Sequence, residues 1–180
     1  MTKPRPFEPD TRMRPMLDEI RQQDRHGVVG PGDNPVGHHA FLSLDPEAGI
    51  TGRFASRPGQ IIELELQPAL GAKPRWQGLH LPLGPVDLTD SAALGLIARS
   101  LAPLSMTTRI CLRSGVGDEV IDVFMPRLMV SYDQPSLHHD LIEPAAMPQL
   151  PKRADWRDMI LFFRPGPVKL TVLDLRLFLV

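Results

Sequence analysis

The chain has 180 residues, 42% of them apolar, and its 20 basic and 21 acidic residues leave a net charge of −1. This length is typical of one domain with a sizeable core. The balanced charge argues against a surface for nucleic acid or for an anionic membrane, and no apolar run approaches the roughly 18 residues of a membrane-spanning helix.

The single cysteine and the N-terminal residues give two separate expectations, one about the thiol and one about location. Cys111 is the only cysteine, which excludes an intramolecular disulfide and a cysteine-based zinc site. Its apolar neighbours Ile110 and Leu112 predict a buried, unreactive thiol. The first residues lack the apolar core of a secretory signal, so the expected location is the cytoplasm, with export by another route or release inside a particle left open.

Residues 1–40 are predicted to form an N-terminal arm. Residues 1–15 are rich in proline and are expected to be extended. Apolar residues at helical spacing predict a short helix over 16–26, and the Gly/Pro-rich segment 27–40 is interpreted as a loop. The main domain is expected to cover residues 41–180.

Short apolar segments separated by Pro and Gly follow the arm, and they predict an all-β domain, an antiparallel jelly-roll β-sandwich. The expected strands are 40–44, 60–67, 75–83, 93–100, 107–113, 120–131, 158–164 and 168–179. The segment 91–99 has an alternative interpretation as a helix capped by Ser91.

The closing strand, 168–179, has the most regular alternation. Leu173, Leu175 and Leu177 share one face, and Asp174 lies on the other. We therefore expect a central strand in which these three leucines are buried.

Four segments of the later chain resemble the carbohydrate-binding-module type of β-sandwich, also called galactose-binding-like. They are VDLTDSAALGLIARS (86–100), TTRICLRSG (107–115), ADWRDMILFF (154–163) and LTVLDLRLFL (170–179). The resemblance spans residues 60–180 and implies a non-catalytic module that recognises a glycan or polysaccharide.

Modules of this type bind sugars on exposed aromatic platforms, because flat apolar rings stack on the C–H faces of pyranose rings. The resemblance implies Trp76, Trp156 and Tyr132 as ligand-binding residues, together with Arg157. The alternative is that each aromatic ring packs at an edge of the sandwich. Arginines on the expected outer faces favour an acidic glycan, with ordinary surface charge as the alternative; they are Arg99, Arg109, Arg113, Arg127, Arg157, Arg164 and Arg176.

The resemblance also implies a structural Ca²⁺ ion held between early and late strands. Glu63 and Glu65 share one strand face, and Asp174 on the closing strand would join them if the two strands pair. Three carboxylates with backbone carbonyls suffice for the hard-oxygen coordination of Ca²⁺. The alternative is a solvated face on which Lys169 or Arg176 balances the charge.

Catalytic motifs are sparse. One histidine from each doublet, 38–39 and 138–139, with Asp140 or Glu143 would make a zinc site of the catalytic type, although adjacent residues on a strand point to opposite faces. No nucleophile elbow, P-loop or dinucleotide-binding motif is present. The sequence therefore favours a binding module over a metal-dependent hydrolase.

A second class of function stays open. The chain has the pattern of a jelly roll with a proline-rich arm, which also suits a structural protein of a particle or fibre. In that case residues 1–40 would reach across neighbouring subunits and mediate assembly.

Overall fold

A computed structural model describes residues 13–37 and 39–180 of the chain. Within them the chain forms one α-helix, α1 (Met13–Gln22), and a succession of short strands. The strands are β1 (Arg25–Val29), β2 (Gly32–Pro35), β3 (Phe41–Leu44), β4 (Thr51–Ser56), β5 (Ile62–Gln67), β6 (Gln77–Gly84), β7 (Leu94–Leu101), β8 (Met106–Val116), β9 (Glu119–Phe124), β10 (Met129–Ser131), β11 (Ser136–Ile142), β12 (Trp156–Phe163) and β13 (Val168–Leu179).

The strands form two antiparallel sheets that pack face to face. The six-stranded sheet has the order β1-β4-β5-β13-β7-β11. The seven-stranded sheet has the order β10-β8-β12-β6-β3-β2, with β9 beside β8. Their inner faces share a single hydrophobic core, so the predicted antiparallel β-sandwich is confirmed.

Strand β5 illustrates how alternation builds this core. Ile62, Leu64 and Leu66 are buried between the sheets, whereas Glu63 and Glu65 face outward. Each buried leucine contributes through the apolar area that it removes from water, at about 25 cal/mol per Å². The core therefore follows from a pattern that is visible in the sequence.

The N-terminal region is more integrated than the sequence predicts. Helix α1 ends at Gln22. Strand β1 spans the end of the predicted helix and the start of the predicted loop, and β2 lies in that loop; they pair with β4 and β3 at the edges of the two sheets. A domain boundary at residue 41 would remove both strands from the sandwich. Strand pairing with β4 and β3 overrides the turn-forming composition of this segment; residues 1–12 of the predicted arm lie outside the described residues.

Helix α1 packs against the six-stranded sheet. Met16, Leu17 and Ile20 are buried, as their helical spacing requires, and the hydroxyl of Ser56 donates to the Ile20 carbonyl at 3.1 Å. Arg21 reaches β13 and donates from Nη2 to Oδ1 of Asp174 at 2.8 Å. The helix is thus tied to the domain by apolar contact and by the ion pair between Arg21 and Asp174.

Strand β13 contains a register shift that reverses its alternation. The shift lies between Val172 and Asp174, in the pairing with β7. Val172 is buried before the shift and Leu175 and Leu177 after it, while Leu173 is only partly buried. The central position of the strand and the burial of Leu175 and Leu177 are confirmed; the burial of Leu173 is wrong, because a bulge inserts one residue into the alternation.

Other segments differ in detail from the predicted strands. The segment 91–99 contributes to strand β7 and not to a helix, and the predicted strand 120–131 is divided into β9 and β10. Pro126 lies in the break, where it has no N–H to donate to a ladder. No helix among the described residues is long and apolar enough to cross a membrane.

Candidate functional site

An open groove of about 840 Å³ lies on the outer face of the seven-stranded sheet. Register explains part of its floor: His80 and Phe124 line the groove. They belong to a row in which Phe41, His80, Ile160, Cys111 and Phe124 lie opposite one another across β3, β6, β12, β8 and β9. Directly opposite residues point to the same face of a sheet. The five side chains therefore form one row across the sheet.

Rows on either side of this one carry the charged groups. Asp158, Arg113 and Asp122 are aligned across β12, β8 and β9. On the other side, Phe162 of β12 lies opposite Arg109 of β8. Both rows share the outer face, because residues two apart on a strand point the same way.

A buried histidine–aspartate pair lies in the floor. Nδ1 of His80 is 2.6 Å from Oδ2 of Asp158. Phe41 stacks on the imidazole, with ring centroids 4.6 Å apart, and Phe162 meets it edge-on at 6.3 Å. With Nδ1 donating to the carboxylate, Nε2 is the nitrogen left to accept a hydrogen bond, or to donate one when protonated.

Only 6% of the surface of His80 is exposed, but its second nitrogen is not fully enclosed by the described residues. His80 lines the groove. Its Nε2 has no hydrogen-bond partner among the described residues, and some of the surface of this atom remains uncovered by them. Oδ1 of Asp158, in contrast, is buried without a partner among them. Asp158 therefore orients the imidazole from below, and His80 presents a polar atom to whatever occupies the groove.

Aromatic rings and guanidinium groups alternate beside this pair. The rings of Phe124 and Phe162 are 6.2 Å apart and tilted by 42°. The guanidinium carbon of Arg109 lies 3.8 Å from the centroid of Phe124, and that of Arg113 lies 6.0 Å from the centroid of Phe162. Cation–π contact of this kind holds an arginine flat against a ring while its N–H edge stays free.

The charges of the groove are only partly balanced. Arg113 makes a two-point bond to Asp122, with both N–O distances at 2.7 Å, and this bond holds the pKa of Asp122 below its usual range. Arg109 and Arg164 also line the groove, and neither makes an ion pair within the described part of the chain. The groove therefore presents excess positive charge.

A buried carboxylate holds the loop that carries Trp76. Asp45 accepts from the Arg75 backbone N–H at 2.8 Å and from its guanidinium at 3.2 and 3.3 Å. The Asp45 N–H donates to the Trp76 carbonyl at 3.2 Å. The hydrogen bonds from Arg75 keep the pKa of Asp45 below its usual range. Trp76 is thereby placed at the rim of the groove with 36% of its surface exposed.

The three predicted platform residues are all partly exposed, but they do not lie together. Trp76 lines the groove. Trp156 is at the opposite end of β12, where its ring covers the backbone of Gly115, roughly 25 Å from Trp76 along the strands. Tyr132 follows β10 and does not line the groove. Of the three, only Trp76 belongs to this site.

Arg157 is placed differently from its prediction as a ligand contact, because it is 1% exposed. Its guanidinium donates to the Val86 carbonyl at 2.8 Å, to the Ser114 hydroxyl at 2.6 Å, and to the carbonyls of Pro151 and Lys152 at 2.6 and 3.0 Å. Burial lowers the pKa of this guanidinium. Arg157 points inward and fastens two loops to the sandwich.

The structure does not bring the three predicted calcium ligands together. Strand β13 pairs with β5 only up to Val172, and Asp174 lies opposite Arg99 of β7. Each carboxylate has an arginine partner: Glu63 has Arg57, Glu65 has Arg53, and Asp174 has Arg21 and Arg176. Among the described residues no group of three or more His, Cys, Asp or Glu is placed to hold a metal ion.

Within the described part of the chain, the remaining candidate groups are not placed to hold a metal ion together. His38 lies outside the described residues, and His138 and His139 are adjacent on edge strand β11. Asp140 accepts from the backbone N–H of Arg127 at 2.7 Å. Cys111 is buried as predicted, and burial raises its pKa to about 12.

Strand alternation holds a signal for some of the groove residues that residue type alone does not give. His80 lies between Leu79 and Leu81, so alternation places it outward when the leucines are inward. Phe162 is harder to identify, because β12 is apolar on both faces and hides its own alternation. The pairing of His80 with Asp158 depends on strand order, which local patterns do not reveal.

Comparison with protein-family models found no match, and comparison with curated proteins found none either. Solved structures do match. The CBM22-1 xylan-binding domain of a Paenibacillus barcinonensis protein superposes with a TM-score of 0.54 at 8% identity, covering 91% of this chain and 92% of that one. The chain shares the fold of a carbohydrate-binding module. The resemblance read from the sequence is thus confirmed at the level of the fold.

A second similar structure is the family 11 carbohydrate-binding module of Clostridium thermocellum, in complex with a mixed-linked tetrasaccharide. It has a TM-score of 0.46 and 15% identity, with 92% of this chain and 94% of that chain covered. Because the identity to the xylan-binding domain is only 8%, the likeness to that domain establishes the fold alone. Function has to be argued from the groove.

Proposed function

We propose that the groove on the seven-stranded sheet binds a carbohydrate chain without catalysing a reaction on it. The observation that carries the proposal is the composition of the groove: aromatic rings of Trp76, Phe124 and Phe162 interspersed with arginines and one imidazole. Sugars have apolar C–H faces, which pack on aromatic rings, and hydroxyl groups at their edges, which hydrogen-bond to arginine and imidazole nitrogens. The volume, about 840 Å³, lies within the range of ligand-binding pockets.

The orientation of the groups supports a binding role. Trp76 is held at the rim by Asp45, while Phe162 and His80 form the floor. A sugar ring stacked on an aromatic face would place its hydroxyls next to guanidinium and imidazole nitrogens, which make directional hydrogen bonds. Much of this set is held in place by cation–π and ion-pair contacts, and preorganisation of this kind favours affinity.

The state of the carboxylates supports a non-catalytic role. Hydrolysis of a glycoside typically uses one carboxyl as an acid and a second as nucleophile or base. Asp122 is bonded at two points to Arg113, and Asp158 is buried beneath His80. Neither is placed as a free partner across the groove from the other.

Titration calorimetry with a panel of soluble polysaccharides tests the proposal. We expect at least one of them to bind. Trp76→Ala and Phe162→Ala should each weaken that binding about tenfold or more, because aromatic anchors in binding sites contribute roughly 2 kcal/mol. Trp76 lies in an exposed loop, so the first variant is expected to keep its fold, which circular dichroism checks.

Trp156→Ala is the matched control. It removes the same type of side chain outside the groove, and it should leave the affinity for the polysaccharide that binds within about twofold. Absence of binding to every polysaccharide at millimolar concentration, or equal loss in the Trp76 and Trp156 variants, would contradict the proposal. Release of new reducing ends from a bound polymer would show a hydrolase instead.

A further inference from the structure

Two arginines in the groove are not balanced by carboxylates. Elsewhere on this sheet face the cations are paired: Arg113 with Asp122, and Arg75 with Asp45. Arg109 and Arg164 are exposed, line the groove, and make no ion pair within the described part of the chain. A binding groove that concentrates unpaired cations selects ligands with complementary charge.

The two arginines lie near one aromatic ring. Arg109 is opposite Phe162, and Arg164 comes two residues after Phe162 on the same chain segment. Trp76 is at this end of the groove as well, because Gly78 pairs with Phe162. A sugar ring stacked on Phe162 or Trp76 would therefore have its ring substituents next to two guanidinium groups.

The environment of Arg109 favours an anion over a hydroxyl. Its guanidinium carbon lies over the Phe124 ring, 3.8 Å from the centroid, so the ring occupies one side of the guanidinium and its N–H groups are left for a ligand. A guanidinium edge matches the two oxygens of a carboxylate or sulfate and binds them at two points. A single sugar hydroxyl uses only part of this donor set.

We propose that the groove selects glycans whose rings carry an anionic substituent, a uronate carboxylate or a sulfate ester, and that Arg109 and Arg164 bind it. This inference rests on the proposed function, since it names the chemical class of ligand for the same groove. His80 and the aromatic rings contact the neutral part of the sugar. The arginines supply the preference for charge.

The test compares each anionic polymer with a neutral form of the same backbone. Polygalacturonate, alginate and hyaluronan are titrated beside their carboxyl-reduced forms, and carrageenan beside its desulfated form. We expect at least one anionic polymer to bind about tenfold or more tightly than its neutral counterpart. The reason is that hydrogen bonds to charged groups contribute more to affinity than hydrogen bonds between neutral groups. Binding of the uronate polymers identifies the carboxylate as the ligand group, and binding of carrageenan identifies the sulfate.

Arg109→Gln and Arg164→Gln should each reduce that preference about tenfold, without changing affinity for the neutral form. Arg99→Gln is the matched control, because Arg99 is an exposed arginine of the other sheet, opposite Asp174 on β7 and β13. It carries the same charge change and should alter binding by less than about twofold. All three positions are exposed, so the variants are expected to fold.

The outcomes separate this inference from the proposed function. Trp76-dependent binding with equal affinity for anionic and neutral forms would overturn the inference and leave the proposed function standing. Equal losses in the Arg99 and Arg109 variants would also overturn it, since the preference would then be a diffuse effect of net charge. Failure to bind any glycan, charged or neutral, would refute the proposed function and the inference with it.

Discussion

Replacing Leu175 by alanine removes a side chain that is fully buried between the sheets. Leu173, two residues earlier on the same strand, is only partly buried and lies outside the core cluster. Strict alternation would treat the two leucines alike, because they would share one face. The bulge between Val172 and Asp174 predicts that they differ.

The magnitudes follow from the cost of a core cavity. Leu175→Ala should lower the free energy of unfolding by about 2–5 kcal/mol. Leu173→Ala should cost less than about 1 kcal/mol, as for substitutions near the surface. For a chain of this size each kcal/mol corresponds to about 2–4 °C, so the two melting temperatures should be clearly separated.

Urea denaturation followed by tryptophan fluorescence measures the free energy of unfolding of both variants, since Trp76 and Trp156 lie outside the substituted strand. The midpoint should fall for Leu175→Ala and stay near the wild-type value for Leu173→Ala, with unchanged slopes in both. Equal destabilisation by the two substitutions would show that the strand alternates without interruption. The position of the bulge would then be wrong.

Two further substitutions test the corrected roles of charged residues. Arg157→Met should destabilise the fold by about 3 kcal/mol or more, because it removes the donor to the Val86 and Pro151 carbonyls and to the Ser114 hydroxyl; if thermal unfolding is unchanged, Arg157 is not a structural anchor. Asp174→Asn should lower stability at neutral pH, because it weakens the bonds from Arg21 and Arg176. Burial alone would raise the pKa of Asp174, but these hydrogen bonds outweigh it and lower the pKa. The stabilisation is therefore present above about pH 4, the unfolded value, and is lost on acidification below it; a variant that melts at the wild-type temperature at pH 7 would contradict this.

Much of the fold was predictable from residue patterns because alternation is local. The burial of Ile62, Leu64 and Leu66 follows from β5 alone, since a strand repeats every two residues. Strands β1 and β2 were not predictable in this way. Their Gly and Pro content is typical of loops, and they are strands because β4 and β3 offer edges with which they pair.

Some residues of the candidate site were also predictable from the sequence, and others depended on the arrangement of the sheets. Trp76, Arg109, Arg113 and Arg164 were identified by residue type, whereas Arg75, which also lines the groove, was not. Arg157 was assigned to the surface although it is buried, because Trp156 and Arg157 are adjacent and only the sheet decides which of the two points inward. The calcium prediction required Asp174 to lie beside β5, and instead it lies beside β7.

The sequence by itself determined that this chain is a β-sandwich with one core, because apolar periodicity and the spacing of Gly and Pro act over a few residues. Only the tertiary structure decided which outward residues meet. The groove brings together Trp76 from the loop before β6, His80 of β6, Arg109 of β8, Phe124 of β9 and Phe162 of β12. Contacts across such separations depend on strand order and register, which arise from the packing of the whole domain.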